Sequence, residues 1–591
     1  MQKERKDIDP KDKWDIFHIF ESDEKWEEEY KRAEELISKL KAYKGKLSLE
    51  NIGKCLKDME EAKEVADKVC VYAGLRANED ATDAEHQGMD LRSQRLTSLL
   101  AEAVAFFEPE LTALPEKELR EKIETPQLTT YKHYIENILR TSKYVLSPDK
   151  EEMLAKAYEV LCAPSNVFYM ADNADMVFTD AVNSKGDSLP LTHGTYISYL
   201  SESDRVLRKS AFENLYRSYK ALKNTLSAVY TSSLKADIFA SEVRGYKDSL
   251  YAALYPENIP VEVYTSLIDT VNEALPLLHR YMKLKKKALG VEELHFYDIY
   301  APVVQIEEKK YSFEEAAEIV KKAVEPLGEE YLSVFTKGIE EEGWIDKYEN
   351  KGKRSGAYSW GCYGTKPYVS LNFNYDIDSV YTLIHEMGHS MHSYYTWKNQ
   401  PNVYSEYTIF VAEVASTVNE ALLTRYFLAT EKDEKKRLYY IENFLEQFRT
   451  TLFRQTMFAE FELEVHKKTE AGEALSFEDY CNIYMELNKK YYGDALCYDK
   501  QIAWEWMRIP HFYTAFYVYQ YATGFSSAIA LSDMILNKNG KDAYLEFLKK
   551  GSSAYSIDIL KDAGVDLTKP DTVKEAMKVF GELLEEMEEN L

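Results

Sequence analysis

The segment Tyr381-Thr-Leu-Ile-His385-Glu386-Met-Gly-His389-Ser-Met-His392 carries an H-E-x-x-H pattern, and the reading of the whole chain turns on it. Two histidines four residues apart fall on one face of a helix, with backbones about 6 Å apart, so both rings can reach one tetrahedral zinc ion. Glu386 projects beside them and can take a proton from a water acidified by the metal, the arrangement of a metal-assisted hydrolase. Asp378 and Ser379 read as the helix start, and Val380, Tyr381, Leu383 and Ile384 as its apolar anchors. Gly388 in mid-helix costs about 1 kcal/mol against Ala, which points to something packed closely against that turn.

A third protein ligand is needed. His392 lies two turns after His385, about 10.5 Å along the axis, too far to share an ion with both motif histidines, and reads as a packing or supporting residue. The metzincin pattern would need glycine at position 392 and histidine at 395; the chain has His392 and Tyr395 instead. After the loop Lys398-Asn-Gln-Pro-Asn402 a second helical run, Tyr407 to Leu428, offers Glu406, Glu413 and Glu420. Glu413 sits inside Ile409-Phe-Val-Ala-Glu-Val-Ala-Ser416, where burying a carboxylate is costly unless a cation neutralises it. Glu413 is therefore the expected third ligand, with Glu420 as the alternative or as a hydrogen-bonding support. Glu406, at the loop edge, reads as solvated or capping.

Three stretches together carry a family resemblance: Ser355-Gly-Ala-Tyr-Ser-Trp-Gly-Cys-Tyr-Gly-Thr-Lys-Pro-Tyr-Val-Ser-Leu-Asn-Phe373, the segment His385 to His392, and Phe410-Val-Ala-Glu-Val-Ala-Ser-Thr-Val-Asn-Glu420. In order, spacing and flanking residues the chain resembles the oligoendopeptidase F enzymes of the thimet oligopeptidase family, over most of its length and least in the first hundred residues. Glu413-x-x-Ser416 matches the third-ligand signature of that family. The resemblance implies a zinc endopeptidase acting on short peptides inside a deep channel, with one Zn2+ per chain on His385, His389 and Glu413.

A further family element is Trp504-Glu-Trp-Met-Arg-Ile-Pro-His511-Phe-Tyr513-Thr-Ala-Phe-Tyr517-Val-Tyr519-Gln-Tyr521. Taken without the family, a Tyr-dense stretch after Pro is ordinary core. Peptide hydrolysis nonetheless needs donors aimed at the developing oxyanion, and imidazole and phenol serve in a dry site. The resemblance implies that role for His511, Tyr513 and Tyr517, with Tyr519 or Tyr521 as the alternatives for the tyrosine that points inwards.

Between Gly356 and Phe373, alternating Tyr368, Ser370 and Asn372 with Val369, Leu371 and Phe373 has a two-residue period, punctuated by Gly361, Gly364 and Pro367. A small sheet is expected here, its free edge pairing with substrate backbone without reading sequence; the plainer alternative is a hairpin that props the His helix. Tyr358, Gly361, Tyr363 and Gly364, with Tyr519 and Tyr521, are the expected substrate contacts.

Elsewhere the pattern is helical. Trp26, Tyr30, Ala33, Ile37 and Leu40 recur at helical spacing behind Ser22, Thr82-x-x-Glu85 and Ser312-x-x-Glu315 have capping-box form, and Ser147-Pro148 opens another helix. Loop residues from Val182 to Pro190 suggest a boundary between an N-terminal helical domain, 1–190, and a catalytic domain, 191–591. The acidic end, Glu582 to Asn590, reads as a solvated helix end. A net charge of -27 disfavours nucleic acid and anionic membranes as partners. Six scattered cysteines, no apolar leader and no apolar run of spanning length suggest a cytoplasmic enzyme without disulfides.

The expectation is thus a mainly α, multi-helix metallopeptidase with a small β-sheet beside the zinc helix, cutting internal bonds of short peptides. Two rivals remain: a dipeptidyl carboxypeptidase, since angiotensin-converting-type enzymes share H-E-M-G-H, and an inactive peptide-binding relative, against which the intact Glu386 argues.

Overall fold

A computed structural model describes residues 3–307 and 309–591 and is built almost entirely of helices. Seven strands of two or three residues occur among the described residues. They are β1 (Ala181–Val182), β2 (Ser188–Leu189), β3 (Leu294–His295), β4 (Ile345–Asp346), β5 (Tyr358–Trp360), β6 (Tyr368–Ser370) and β7 (Leu496–Cys497). The chain packs as two compact units, each assembled from separated stretches. Unit 1 takes residues up to Lys143, those from 309 to Tyr426, and Leu531–Val565; unit 2 takes Tyr144–Glu307, Phe427–Ala530 and Asp566–Leu591. The linear boundary expected near residue 190 falls within unit 2, just after the β1–β2 hairpin.

In unit 1, helix Asp23–Leu40 is capped by Ser22, which accepts the Lys25 N–H, and buries Trp26, Tyr30, Ala33, Ile37 and Leu40, the stripe expected from the spacing. That stripe packs with Ala66, Val69, Tyr72 and Leu75 of helix Ile52–Glu79 and with Met89 and Leu96 of helix Ala84–Val104. The last helix is capped by Asp83, not Thr82: the Asp83 carboxylate accepts both the Glu85 and the His86 N–H. Ser312 and Glu315 do form the reciprocal box. The core reaches Tyr368 of β6, whose hydroxyl donates to the Asp15 carbonyl.

The Gly356–Phe373 stretch makes the expected small sheet. Its order is β4-β6-β5, with β6 parallel to β4 and antiparallel to β5, pairing Tyr358 with Ser370 and Trp360 with Tyr368. Central β6 is buried on both faces, so the alternation read there does not separate a wet face from a dry one. Buried Asp346 on β4 is tied to Arg5 and to Lys353, which pins the amino-terminal segment to the sheet. An edge strand, β5, is left beside helix Ile377–Asn399, joined to it by a Ser359–Ser390 hydroxyl bond of 2.8 Å.

Unit 2 is organised on helix Val261–Ala288, which packs with Asp571–Asn590 and Phe477–Tyr492. The acidic end lies on the first of these partners, an amphipathic helix that buries Phe580, Leu583, Leu584 and Met587 and turns its glutamates outward.

Candidate functional site

The His helix begins one or two residues earlier than its sequence suggests. Asp376 is the cap, accepting the N–H and the hydroxyl of Ser379, and the helix runs from Ile377 to Asn399. Val380, Leu383, Ile384, Met387 and Met391 are buried, which fixes the rotation of the helix and sets His385 and His389 on the opposite side. Helix Ile409–Thr430 crosses it at Gly388. A Cβ on Gly388 would stand 2.6 Å from Ser416 Cα, 2.9 Å from the Ala415 carbonyl oxygen and 3.0 Å from the Ser416 nitrogen. The glycine therefore lets two backbones meet, and the turn of the second helix beside it brings in Glu413.

The result is a compact donor set. Glu413 Oε2 lies 3.5 Å from Nε2 of both His385 and His389, and one donor atom from each of the three residues falls within 4.8 Å of the others. Ser416 donates its hydroxyl to Glu413 Oε2 at 3.0 Å, which steadies the carboxylate. Glu420 Oε1 lies 2.5 Å from His385 Nδ1 and accepts its N–H, fixing the tautomer that leaves Nε2 free. The backbone of Ala412 also hydrogen-bonds the His389 ring. Glu420 is thus a support of His385, not a third donor beside it.

Glu413 stands beside both histidines, in a more open environment than its apolar flanks suggest. Its side chain is 47% exposed, because Val411, Val414, Ala415 and Val418 occupy the buried faces of the helix and Glu413 takes the open one. Glu406 is more exposed still and pairs with Lys63 at 2.7 Å. His392 is buried, stacked on Tyr407 with ring centroids 3.7 Å apart, which bears out a packing role.

Charge makes this cluster receptive to a cation. Three carboxylates, of Glu386, Glu413 and Glu420, surround two imidazoles. Burial disfavours charge on His385, yet the hydrogen bond to Glu420 and the charges of all three carboxylates outweigh it and raise its pKa to about 9. Burial and then the neighbouring His385 hold His389 below the ordinary imidazole range. Glu386 is buried and its pKa is raised to about 7, by burial first and by Glu413 and Glu420 second, with His385 and the Ser359 N–H opposing. Two imidazole nitrogens and a carboxylate oxygen are the donor set of a catalytic zinc, so the residues present fit that ion. Glu386 is left out of the donor set and sits against the β5 edge. Ser359 was missed in sequence; its one signal is its place on an edge strand.

The remaining expected site residues are divided. Tyr358 packs towards Trp14 and its hydroxyl accepts from Asn78, so that ring belongs to the core. Gly361 is required internally: a Cβ there would meet Trp397 and the Lys366 carbonyl oxygen, each at 2.7 Å. Tyr363 and Gly364 lie in the turn that follows β5, where Gly364 has φ +82° and Lys68 stands close. In unit 2, His511 Nε2 is 3.1 Å from the Tyr521 hydroxyl, and Tyr517 lies parallel to the imidazole at 5.9 Å. Tyr513 stacks on Phe168 at 4.4 Å. Tyr519 is only 1% exposed and packs on Tyr264, so its expected contact with substrate is corrected to a core role. The segment is anchored by buried Glu462, which accepts the Phe516 N–H at 2.6 Å where Phe516 takes φ +56°.

Two histidines one helical turn apart, a glutamate within reach of both and a second, buried glutamate beside them form the pattern of a metallopeptidase. The profile of peptidase family M3 matches residues 198–579, and that of the amino-terminal oligopeptidase F region matches 110–178. The chain is 46% identical to the Oligopeptidase PepF of Bacillus subtilis over all of its own length and 88% of the relative's, and 41% identical to the Group B oligopeptidase PepB of Streptococcus agalactiae over 100% and 98%. The crystal structure of an oligoendopeptidase-F from Enterococcus faecium is similar at a TM-score of 0.73 and 37% identity, covering 96% of this chain and 99% of that one. The chain belongs to peptidase family M3, among the oligoendopeptidase F enzymes, and is a metalloendopeptidase of oligopeptides.

Proposed function

We propose that this enzyme is zinc-dependent, that one catalytic Zn2+ per chain is held by His385, His389 and Glu413, and that Glu386 is the general base. The observation that carries the proposal is the convergence of both Nε2 atoms on Glu413 Oε2 beside a buried carboxylate not needed as a ligand. Zinc bound there would polarise the scissile carbonyl and acidify a water. Glu386 takes the proton of the attacking water and returns it to the leaving amine, a task matched by a pKa lifted towards neutrality. His385 is kept in the ligating tautomer by Glu420. The free edge of β5 aligns an extended substrate backbone, which supports broad specificity and excludes folded chains. His511, with Tyr517 and Tyr521 around it, is the proposed donor set for the oxyanion.

A cytoplasmic setting is part of the proposal, supported by six cysteines of which none is in a disulfide. No helix among the described residues is long and apolar enough to cross a membrane. The test is digestion of one defined decapeptide, read by mass spectrometry, by enzyme stripped of metal and then given Zn2+. Internal cuts restored by zinc support the proposal. Stepwise loss of C-terminal dipeptides would make the enzyme a dipeptidyl carboxypeptidase, and no turnover in zinc-loaded protein would make it a peptide-binding relative.

A further inference from the structure

A second set of metal-ligating side chains lies in unit 2. Strands β3 and β7 form a short parallel bridge in which His295 stands opposite Cys497. Paired residues of such a bridge put their side chains on one face, so the imidazole and the thiol become neighbours although 202 positions separate them (497 − 295). Glu293, just before β3, completes the group: His295 Nε2 is 3.6 Å from its carboxylate, and one donor atom from each of the three residues lies within 4.8 Å of the others.

Two features make this more than a chance meeting of polar groups. Asp499 sets both carboxylate oxygens 3.0 Å from His295 Nδ1 and accepts its N–H, which leaves Nε2 as a lone-pair donor turned towards Glu293. Tyr297 stacks on the imidazole at 4.7 Å with the rings 9° apart, which restrains its rotation. A carboxylate behind a ligating imidazole is the support that metal histidines generally have, and Glu420 gives the same to His385. Charge and softness agree. A Glu293 carboxylate and a Cys497 thiolate balance one divalent ion, and of the two nearby cations, Lys286 and Arg205, the latter is already bonded to Asp298 and to the Glu293 carbonyl. Thiolate with imidazole selects zinc over magnesium or calcium.

We propose that Glu293, His295 and Cys497 form a second divalent-metal site that takes Zn2+, with Asp499 as its orienting group. It has three protein donors and a fourth position for water, and Glu293 is exposed, so it exchanges metal with solvent. An ion there adds a further tie between two segments already joined by the two-residue bridge and the His295–Asp499 hydrogen bond, and so stabilises unit 2.

The test uses the full chain and Cd2+ as probe, because the His385 cluster contains no sulfur and thiolate-to-cadmium charge transfer reports only on sites with cysteine. Zinc per chain is counted in parallel after equilibrium dialysis. Wild type should bind two ions, one with charge-transfer absorption. Cys497→Ser and His295→Ala should each bind one, lose the absorption at least about tenfold at a fixed Cd2+ concentration and keep peptide turnover. His385→Ala should keep the absorption. His295→Ala retains the thiol, so unchanged absorption in that variant would reduce the site to a single reactive cysteine and overturn the proposal. Unchanged absorption in Cys497→Ser, or a single zinc in wild type, would overturn it as well.

Discussion

Replacing Gly388 by alanine tests how the candidate centre is assembled. The new methyl would sit 2.6 Å from Ser416 Cα and about as close to two further backbone atoms, none of which can rotate away. Carbon pairs rest at about 3.5–4.0 Å, so the two helices must separate by roughly 1 Å. Glu413 is three residues before Ser416 and retreats with it, while a carboxylate ligand to zinc needs about 2.0–2.2 Å. Alanine returns about 1 kcal/mol of helix propensity and overpacking costs about 1–3 kcal/mol, so the variant should fold with a small net loss. Bringing Glu413 back onto the ion must overcome that same strain, which weakens zinc at this site by about 5- to 150-fold. The assay is zinc competition against a chromophoric chelator in a Cys497→Ser background, which removes the other proposed site. Gly88→Ala is the control, because nothing lies within 4 Å of its Cβ position. Wild-type zinc affinity in folded Gly388→Ala protein would refute the assembly of the site through this crossing.

Three further outcomes are expected. In the same background Glu413→Ala should lose zinc severely while Glu406→Ala, which breaks only an exposed pair with Lys63, should keep it; the reverse ranking by metal analysis would dismiss Glu413 as ligand. His511→Ala should lower kcat by roughly 10²-fold with little change in KM, since an oxyanion donor acts in the transition state; a change confined to KM would move His511 to substrate binding. Acid should weaken unit 2 through Glu505. Burial opposes its charge, but Arg454 and Arg508 lower its pKa to about 2 from an ordinary 4.5. Because the folded value is the lower one, the stabilisation is complete above about pH 5 and is lost as pH falls towards 2, up to about 3 kcal/mol. Glu505→Gln should lower stability at pH 7 and flatten the acid arm of a stability–pH curve measured by denaturant unfolding; an unchanged acid arm would count against the assignment.

The helix carrying His385 and His389, the close neighbour demanded by Gly388, and the buried stripe behind Ser22 were legible because each depends on residues within a few turns. Caps at Asp376 and Asp83 were misplaced because several acidic and hydroxyl residues cluster before each helix and only geometry selects among them. Glu413 lies beside both histidines, but its exposure was not legible: an apolar neighbourhood in sequence wraps around a helix and can leave one face open. Tyr358, Gly361 and Tyr519 looked functional because tyrosine and glycine serve packing and substrate equally well, and the partners that decide, Asn78, Trp397 and Tyr264, lie remote in sequence. For the same reason neither the interleaved units nor the meeting of His295 with Cys497 could be read from a single stretch.

The central claim is that Glu386 moves the proton while His385, His389 and Glu413 hold the ion. Glu386→Gln, prepared with zinc and assayed on the decapeptide, separates the two functions in one protein. The account predicts zinc content equal to wild type with turnover lower by at least about 10². Turnover near wild type in that zinc-replete variant would contradict it.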